Sequence, residues 1–337
     1  MPTPPSDNFS PVLSRTNGAG PVVTIGTFDG VHRGHQALLE RARARAGSGG
    51  VVAALVFDPN PIEVLRPAQA PARLASFDQK LELLRRFGAD EVHLLEPKPE
   101  LLNESPEQFI REVLGRHRVT GVVEGPDFRF GRGRAGDVAS LAAMGERLGF
   151  TVDVVQPVTV TLNDHTIAPA RSTIVRWLLG HGRADDAARV LGYPYTMRGR
   201  VARGDQRGRT IGFPTVNLDS PCLAPADGVY AGVGRLPDGR VLPAAISVGT
   251  KPSFGDRPRT VEAVLLNPAL GPAELAGLPE YGWTLDLAFH RWVRDQARFD
   301  SLEGLVGQIR RDCSTVVSLV AGLSAVRNVP PTAEARL

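Results

Sequence analysis

The sequence predicts two domains in series: a parallel, doubly wound α/β domain, then a smaller β-rich domain that ends in a helix. Three observations carry that expectation. The chain has 337 residues, more than the roughly 100–200 that fill one domain. Up to about residue 155, short continuous apolar runs alternate with amphipathic stretches, the pattern of parallel strands buried on both faces between crossover helices. After Gly192 glycine and proline become frequent, β-type runs follow one another, and no long helical stretch occurs until Ser301. That change of character places the boundary near 183–192.

Residues 1–20 are rich in Pro, Ser, Asn and Gly and read as a flexible leader. Residues 22–25 are the first strand. Gly26-Thr27-Phe28-Asp29-Gly30-Val31-His32-Arg33-Gly34-His35 then forms a glycine-punctuated turn into a helix that reaches about residue 46, where Gly47-Ser48-Gly49-Gly50 stops it. Two histidines three apart at the mouth of a helix lie on one side of its first turn. Beside them are backbone N–H groups and the positive end of the helix dipole, a place suited to phosphate oxygens. Gly26 and Gly30 allow a tight bend and close approach, and Gly34 removes a side chain next to the imidazoles.

Residues 51–57 form a buried strand that opens into Asp58-Pro59-Asn60-Pro61, a turn at a strand's carboxyl end, where open α/β sheets bind ligands. Helices at 76–87 and 107–116 alternate with strands at 91–95 and 121–123. A loop rich in glycine and arginine, 124–137, follows; Phe128 and Phe130 in it need burial beside many charges. A helix at 138–148 and a strand at 151–155 come next. Ser172 and Thr173 suit the N-cap of a helix running to 179, and a further helix occupies 184–191.

In the second domain the densest stretch is 198–218. Its glycines and arginines allow a backbone loop to wrap phosphates. Thr215 and Asn217, two apart on extended chain, point to one side and offer hard oxygen ligands appropriate to Mg²⁺. Strands are expected at 244–249, at 261–266 with the carboxylate of Glu262 among apolar residues, and at 283–289 as an edge or closing strand. A turn into a strand is expected at 227–232, and the last helix at 301–313.

Composition narrows the function classes. The 39 basic residues barely exceed the 36 acidic ones. The arginines are dispersed with no dense basic run, so no nucleic-acid partner is expected. Cys222 and Cys313 lie far apart outside any metal spacing, which points to a reducing compartment and no zinc site. No signal peptide or long apolar run is present, so a cytoplasmic protein without membrane contact is expected. No GxxxxGK[ST] occurs, which excludes a P-loop kinase.

The stretch from Gly26 to His35 resembles the HxGH signature of nucleotidylyltransferases, and its fuller form the bacterial FAD synthetases. The 58–61 turn is similar to their FDPHP segment, with Asn60 where many relatives carry His. Gly125-Pro126-Asp127-Phe128-Arg129-Phe130-Gly131 is similar to GxDFRFG. Ser172-Thr173-Ile174-Val175-Arg176 is similar to SSTxxR, with Arg171 at the first serine position and Ala170 before it. The run Gly204-Asp205-Gln206-Arg207-Gly208 through Gly212-Phe213-Pro214-Thr215-Val216-Asn217 resembles the long GDxRGRxxGFPTxN motif of riboflavin kinases. Residues 227–232 look like GVYAG, 250–255 like GTxPTF, and 291–300 like RDxxxFDS.

The family so indicated is the bifunctional riboflavin kinase and FAD synthetase. It implies a Rossmann-like nucleotidylyltransferase domain at 21–185, a riboflavin kinase β-barrel with a terminal helix at 186–325, and a flexible tail at 326–337. The barrel would phosphorylate riboflavin with ATP to FMN, Thr215 and Asn217 holding Mg²⁺–ATP and Glu262 serving as general base. The first domain would join AMP from a second ATP to FMN, giving FAD and pyrophosphate, with His32 and His35 stabilising phosphate charge. Implied binding residues are Gly26, Phe28, Asp29, Gly30, Asn60, Gly125, Asp127, Arg129, Ser172, Thr173 and Arg176 in the first domain. In the second they are Gly204, Arg207, Gly208, Gly212, Pro214, Tyr230 and Arg294, the last beside the flavin. Small molecules are the expected partners of a monomer or weak homo-oligomer. A narrower alternative keeps only the kinase, the first domain being degenerate or regulatory because of Asn60, Ala170 and Arg171. A flavin-binding protein without turnover is the non-enzymatic rival, against which the retained His32, His35, Thr215 and Glu262 speak.

Overall fold

Val22–Gly26 (β1), Val52–Phe57 (β2), Glu91–Leu95 (β3), Gly121–Glu124 (β4) and Thr151–Val154 (β5) form a parallel sheet in the order β3-β2-β1-β4-β5. The computed structural model describes residues 20–114, 118–204, 206–250, 259–267 and 269–327. Residues 1–19 of the expected leader, Asp205, the 251–255 part of the GTxPTF-like loop and the tail beyond 327 lie outside them. Arg33–Ala46 (α1), Pro61–Leu65 (α2), Phe77–Arg86 (α3), Pro99–Leu102 (α4), Pro106–Leu114 (α5) and Val138–Leu148 (α6) connect the strands.

The strands obey their period of two. Val23, Ile25, Ala53 and Leu55 face one core with Phe109 and Ile110 of α5 and Leu141 of α6. Val22, Val52, Ala54 and Val56 face the other with Leu39 and Ala42 of α1 and Leu84 of α3. Both faces of β2 are buried along its whole length, which is why it reads as a continuous apolar run. Each fully buried aliphatic side chain here contributes about 1.5–3 kcal/mol, an upper bound against a compact unfolded chain. Strand order reverses between β1 and β4, and the topology rule for open α/β sheets puts a ligand crevice there.

Thr159–Thr161 (β6) and Ile167–Pro169 (β7) pair as a two-stranded sheet that sequence patterning does not announce, since each strand is three residues long and largely exposed. Ser172–Gly180 (α7) and Ala184–Leu191 (α8) follow, and Gly192 ends α8 at φ +82°.

Tyr195–Ala202 (β8), Val216–Asp219 (β9), Gly228–Arg235 (β10), Val241–Gly249 (β11), Thr260–Leu265 (β12) and Thr284–Arg294 (β13) close an antiparallel barrel in the order β10-β11-β12-β9-β8-β13. Arg207–Thr210 (α9) interrupts the β8–β9 connection. The last strand is a closing strand, paired with both β8 and β10. It extends to Arg294, past the expected end at 289, because register shifts at Val229/Tyr230 and Ala231/Gly232 let β10 keep pairing with it. Those irregularities break strict alternation, so no period-two pattern marks the strand's reach beyond 289 in the sequence.

Leu302–Arg327 (α10) also exceeds expectation: it runs well past Cys313 and includes residues 326 and 327 of the expected tail. Its apolar stripe continues through Val306, Ile309, Cys313, Val316, Val317 and Val320 at helical spacing and packs against the barrel core. The chain divides into two compact units. One holds the chain up to residue 72, with 77–160 and 167–172; the other holds 73–76, 161–166 and the chain from 173 onward. Accordingly α8 and all but the first residue of α7 group with the barrel, and α8 packs on β13 and β8.

Candidate functional site

In the first unit, β1 passes the chain to α1 through a strained turn. Phe28, Gly30 and Val31 have φ of +48°, +75° and +31°. Only glycine takes such angles without cost, and a β-branched valine there persists where its surroundings over-determine it. They do: Phe28 is 1% exposed and Val31 fully buried in the core. The outcome is a fixed pair of imidazoles. His32 is the N-cap of α1 and His35 sits in its first turn, and their rings stack at 3.7 Å and 21°. The ring of Phe28 meets that of His35 edge-on at 5.1 Å. A Cβ on Gly34 would lie 2.9 Å from the Ala170 carbonyl oxygen and 3.1 Å from the His32 ring. Glycine at 34 thus admits the chain leading into α7.

Charge around the pair is set by burial. Desolvation, then the neighbouring His32 and the ammonium of Lys80, hold the His35 imidazole well below the ordinary histidine range. Its Nδ1 is buried with no hydrogen-bond partner among the described residues. Lys80 of α3 is itself buried, with Nζ 3.0 Å from Asp58 Oδ1 in the turn after β2. The hydroxyl of Ser172 donates to the Asp29 carbonyl at 2.8 Å. Glu124, at the carboxyl end of β4, accepts from the Ile25 amide at 2.6 Å and more distantly from the Thr24 hydroxyl at 3.5 Å. Burial pushes its carboxyl well above the usual range despite those bonds. Imidazoles and a buried ammonium at a helix N-terminus form a place for anionic oxygens.

In the second unit, Glu262 of β12 lies directly opposite Asn217 of β9 and, on its other side, Ser247 of β11. Opposed residues leave a sheet on one face, so carboxylate, carboxamide and hydroxyl share a surface. Thr215 stands immediately before β9. A Cβ on Gly204 would come within 2.0 Å of Asn217 Nδ2, so the loop after β8 touches that carboxamide only as glycine. Two clefts meet at Ala202, Gly204 and Asn217. The smaller, ≈ 180 Å³, is lined by Arg209, Pro214, Thr215 and Tyr281. The larger, ≈ 620 Å³, is lined by Arg203, Asp219, Arg259 and Thr260 and is the size of a small-molecule site. Gln206 to Tyr281 at 2.6 Å and Arg209 to Glu280 at 3.2 Å tether the loop over the smaller cleft.

The FAD synthetase family model matches residues 14–170 and the riboflavin kinase family model residues 191–320. A protein of Escherichia coli K12 named bifunctional riboflavin kinase/FMN adenylyltransferase is 36% identical over 307 residues, 89% of this chain and 93% of that one. The chain belongs to this bifunctional family. A Pseudomonas fluorescens member of the same name is 37% identical over 311 residues, covering 91% and 95%. A crystal structure from Streptococcus pneumoniae, described as a macrolide-efflux protein, has a TM-score of 0.73 at 26% identity over 88% of this chain and 94% of its own. Among the described residues of the present chain no helix is long and apolar enough to cross a membrane.

The residues singled out from the riboflavin kinase/FMN adenylyltransferase motifs fall into two groups. Gly26, Asp29, Gly30, His32, His35 and Ser172 converge on the first turn of α1, while Thr173 and Arg176 continue along α7. Gly204, Pro214, Thr215, Asn217 and Glu262 gather at the β9–β12 face, where Gly212 turns the chain at φ +83° and a Cβ on Gly208 would strike the Phe213 carbonyl at 2.2 Å. Arg207 begins α9, and Gly125 opens the loop after β4.

Other residues singled out have partners within the protein. Phe28 is core and supports His35. Asn60 caps α2, its Oδ1 accepting from the Ile62 amide at 3.2 Å. Arg129 donates to the carbonyls of Pro126 and Phe128, and Asp127 pairs with Arg171 at 2.6 Å. Ser172 is the first residue of α7 and not its cap, because its hydroxyl is drawn to the Asp29 carbonyl. Tyr230 is fully buried in the barrel, its hydroxyl donating to the Ala226 carbonyl at 2.6 Å, and burial pushes that hydroxyl's pKa upward. Arg294 makes a forked ion pair with Asp312 of α10, at 2.7 Å from Nη2 and 3.0 Å from Nε. Sequence reasoning missed Lys80 and Glu124. Their signals were a lysine on the apolar side of α3 and a carboxylate closing a buried strand.

Proposed function

We propose that the C-terminal unit transfers the γ-phosphoryl group of ATP to riboflavin's terminal hydroxyl, and that the N-terminal unit joins AMP from a second ATP to the resulting FMN. The observation that carries this reading is one chain matching FAD synthetase and riboflavin kinase in series, with a stacked histidine pair in the first and an opposed Glu262 and Asn217 in the second. In the kinase step Glu262 accepts the hydroxyl proton as the oxygen attacks the γ-phosphorus, and ADP leaves. Thr215 and Asn217 are two neutral hard donors, suited to Mg²⁺ but too few to hold it alone, so the ATP phosphates complete the set. The metal would neutralise phosphate charge.

In the second step an FMN phosphate oxygen attacks the α-phosphorus of ATP, the bond to the β-phosphate breaks, and pyrophosphate leaves. His32 and His35 donate to phosphate oxygens from the first turn of α1, and Lys80 adds a fixed positive charge beside them. His35, held neutral by burial, acts as a hydrogen-bond donor. Asn60 keeps its Nδ2 donors for phosphate while its oxygen caps α2. The protein is proposed to be cytoplasmic, a monomer or weak homo-oligomer, without nucleic-acid partners.

Purified protein with riboflavin, excess ATP and Mg²⁺ tests the reading, with products followed by chromatography. FMN that rises and then falls as FAD grows is expected. FMN without FAD would leave only the kinase, and neither product would sink both halves.

A further inference from the structure

The N-terminal sheet parts where the adenylyl site lies. β1 stays in register with β2 out to Gly26↔Val56, and β4 with β5 out to Glu124↔Val154. Between them, β1 and β4 pair only at Val22↔Gly121 and Val23↔Val122. Past Val23 the two halves separate, opening a crevice at the carboxyl ends of the strands. Separation takes the β4 backbone away from the Ile25 amide, which lies in a residue only 2% exposed. An unmet buried N–H costs as much as a lost hydrogen bond. Glu124 meets it: Oε1 stands 2.6 Å from Ile25 N, in a side chain of a residue 3% exposed.

We propose that Glu124 is a positioning residue for adenylyl transfer, its side-chain oxygen replacing the absent β4 carbonyl at Ile25 and so fixing the end of β1 from which the turn to His32 and His35 departs. The inference rests on the adenylyl-transfer reading. Gly26 follows Ile25 directly, and the positive φ angles at Phe28, Gly30 and Val31 persist only where both ends of the turn are held. The far end is held by α1 and by Ser172 on the Asp29 carbonyl; Glu124 holds the near end. Burial shifts the carboxyl toward its neutral form, and what it offers Ile25 is an accepting oxygen. Glutamine supplies the same oxygen; methionine keeps the volume without it.

The test compares the parent chain with Glu124→Gln and Glu124→Met, measuring FAD formation from FMN and ATP and, in the same preparations, FMN formation from riboflavin. A parent that makes no FAD overturns the adenylyl reading, and this inference with it. With an active parent, Glu124→Met should lower kcat for FAD formation about tenfold or more while KM for FMN stays within about twofold, because the turn is displaced and flavin contacts are kept. Glu124→Gln should restore kcat to within about threefold of the parent, and the kinase rate should be unchanged in both variants. Full kcat in Glu124→Met overturns the proposal, and so does a Glu124→Gln variant as impaired as Glu124→Met. Loss of the N-terminal unit's cooperative thermal transition in Glu124→Met would also overturn it, making Glu124 a residue of stability alone.

Discussion

His35 combines two demands that pull apart: the proposed role has it face phosphate, and its ring is packed against those of His32 and Phe28. Enclosure wins for the free protein, since desolvation leads the causes that lower its pKa. The sign of the consequence follows. A histidine titrates near 6.5 in the unfolded chain and lower in this fold, so between those values the unfolded state binds more protons. Stability of the N-terminal unit is therefore full above about pH 6.5 and is lost as pH falls through that window toward the depressed folded value. In thermal melts from pH 7.5 down to 5, His35→Asn should flatten the acid-side decline while leaving the barrel's transition alone; an unchanged slope would refute the assignment. In catalysis, His35→Ala removes a pre-organised donor and should lower FAD formation by about 10²–10³, the usual effect of losing one such group. Lysine at 35 would not be a neutral replacement, because a second ammonium beside Lys80 would stand in the same buried space.

At the scale of elements, the forked pair between Arg294 and Asp312 joins the last strand to the last helix. Asp312 is 5% exposed, and Gln308 also donates to it at 2.8 Å. Removing the arginine leaves a buried carboxylate with too few donors, which costs about 3–5 kcal/mol for a fully buried pair. The Arg294 side chain keeps 23% exposure, so solvent screening brings the expectation for Arg294→Ala down to about 2–3 kcal/mol. Denaturant unfolding of the barrel should show it, and Arg294→Met with Asp312→Leu should recover much of the loss. The pair also explains what was legible in sequence. Strands β1, β2 and β3 and helices α6 and α8 follow directly from apolar runs and their glycine stops, since local pattern and burial agree there. The reach of β13 and the positions of Arg294 and Glu124 depend on register shifts and on partners in other elements, which no local period encodes, whereas the length of α10 follows its own apolar stripe. The candidate site was legible where chemistry clusters in sequence, as at His32 and His35 or Thr215 and Asn217. It was hidden where the fold supplies it, as Lys80 and Glu124 do.

For the whole molecule, two units with separate cores and separate phosphate chemistry imply that lesions stay local. Glu262 lies in a barrel wall formed wholly within the second unit, and His35 in a turn formed wholly within the first. Glu262→Gln keeps the shape of the side chain and its place opposite Asn217 but removes the proposed proton acceptor, and losing a general base costs about 10²–10⁴ in rate. Such a variant should make almost no FMN or FAD from riboflavin, yet form FAD from supplied FMN at the parent rate. His35→Ala should do the opposite, converting riboflavin to FMN at the parent rate and letting it accumulate. Mixing the two variants should then restore riboflavin-to-FAD conversion, because FMN released by one can be adenylylated by the other. The rate of that mixture depends on free FMN, so it should show a lag that shortens as protein concentration rises, whereas a mixture that never makes FAD would mean that FMN does not leave the barrel and that the two steps are coupled beyond what separate units require.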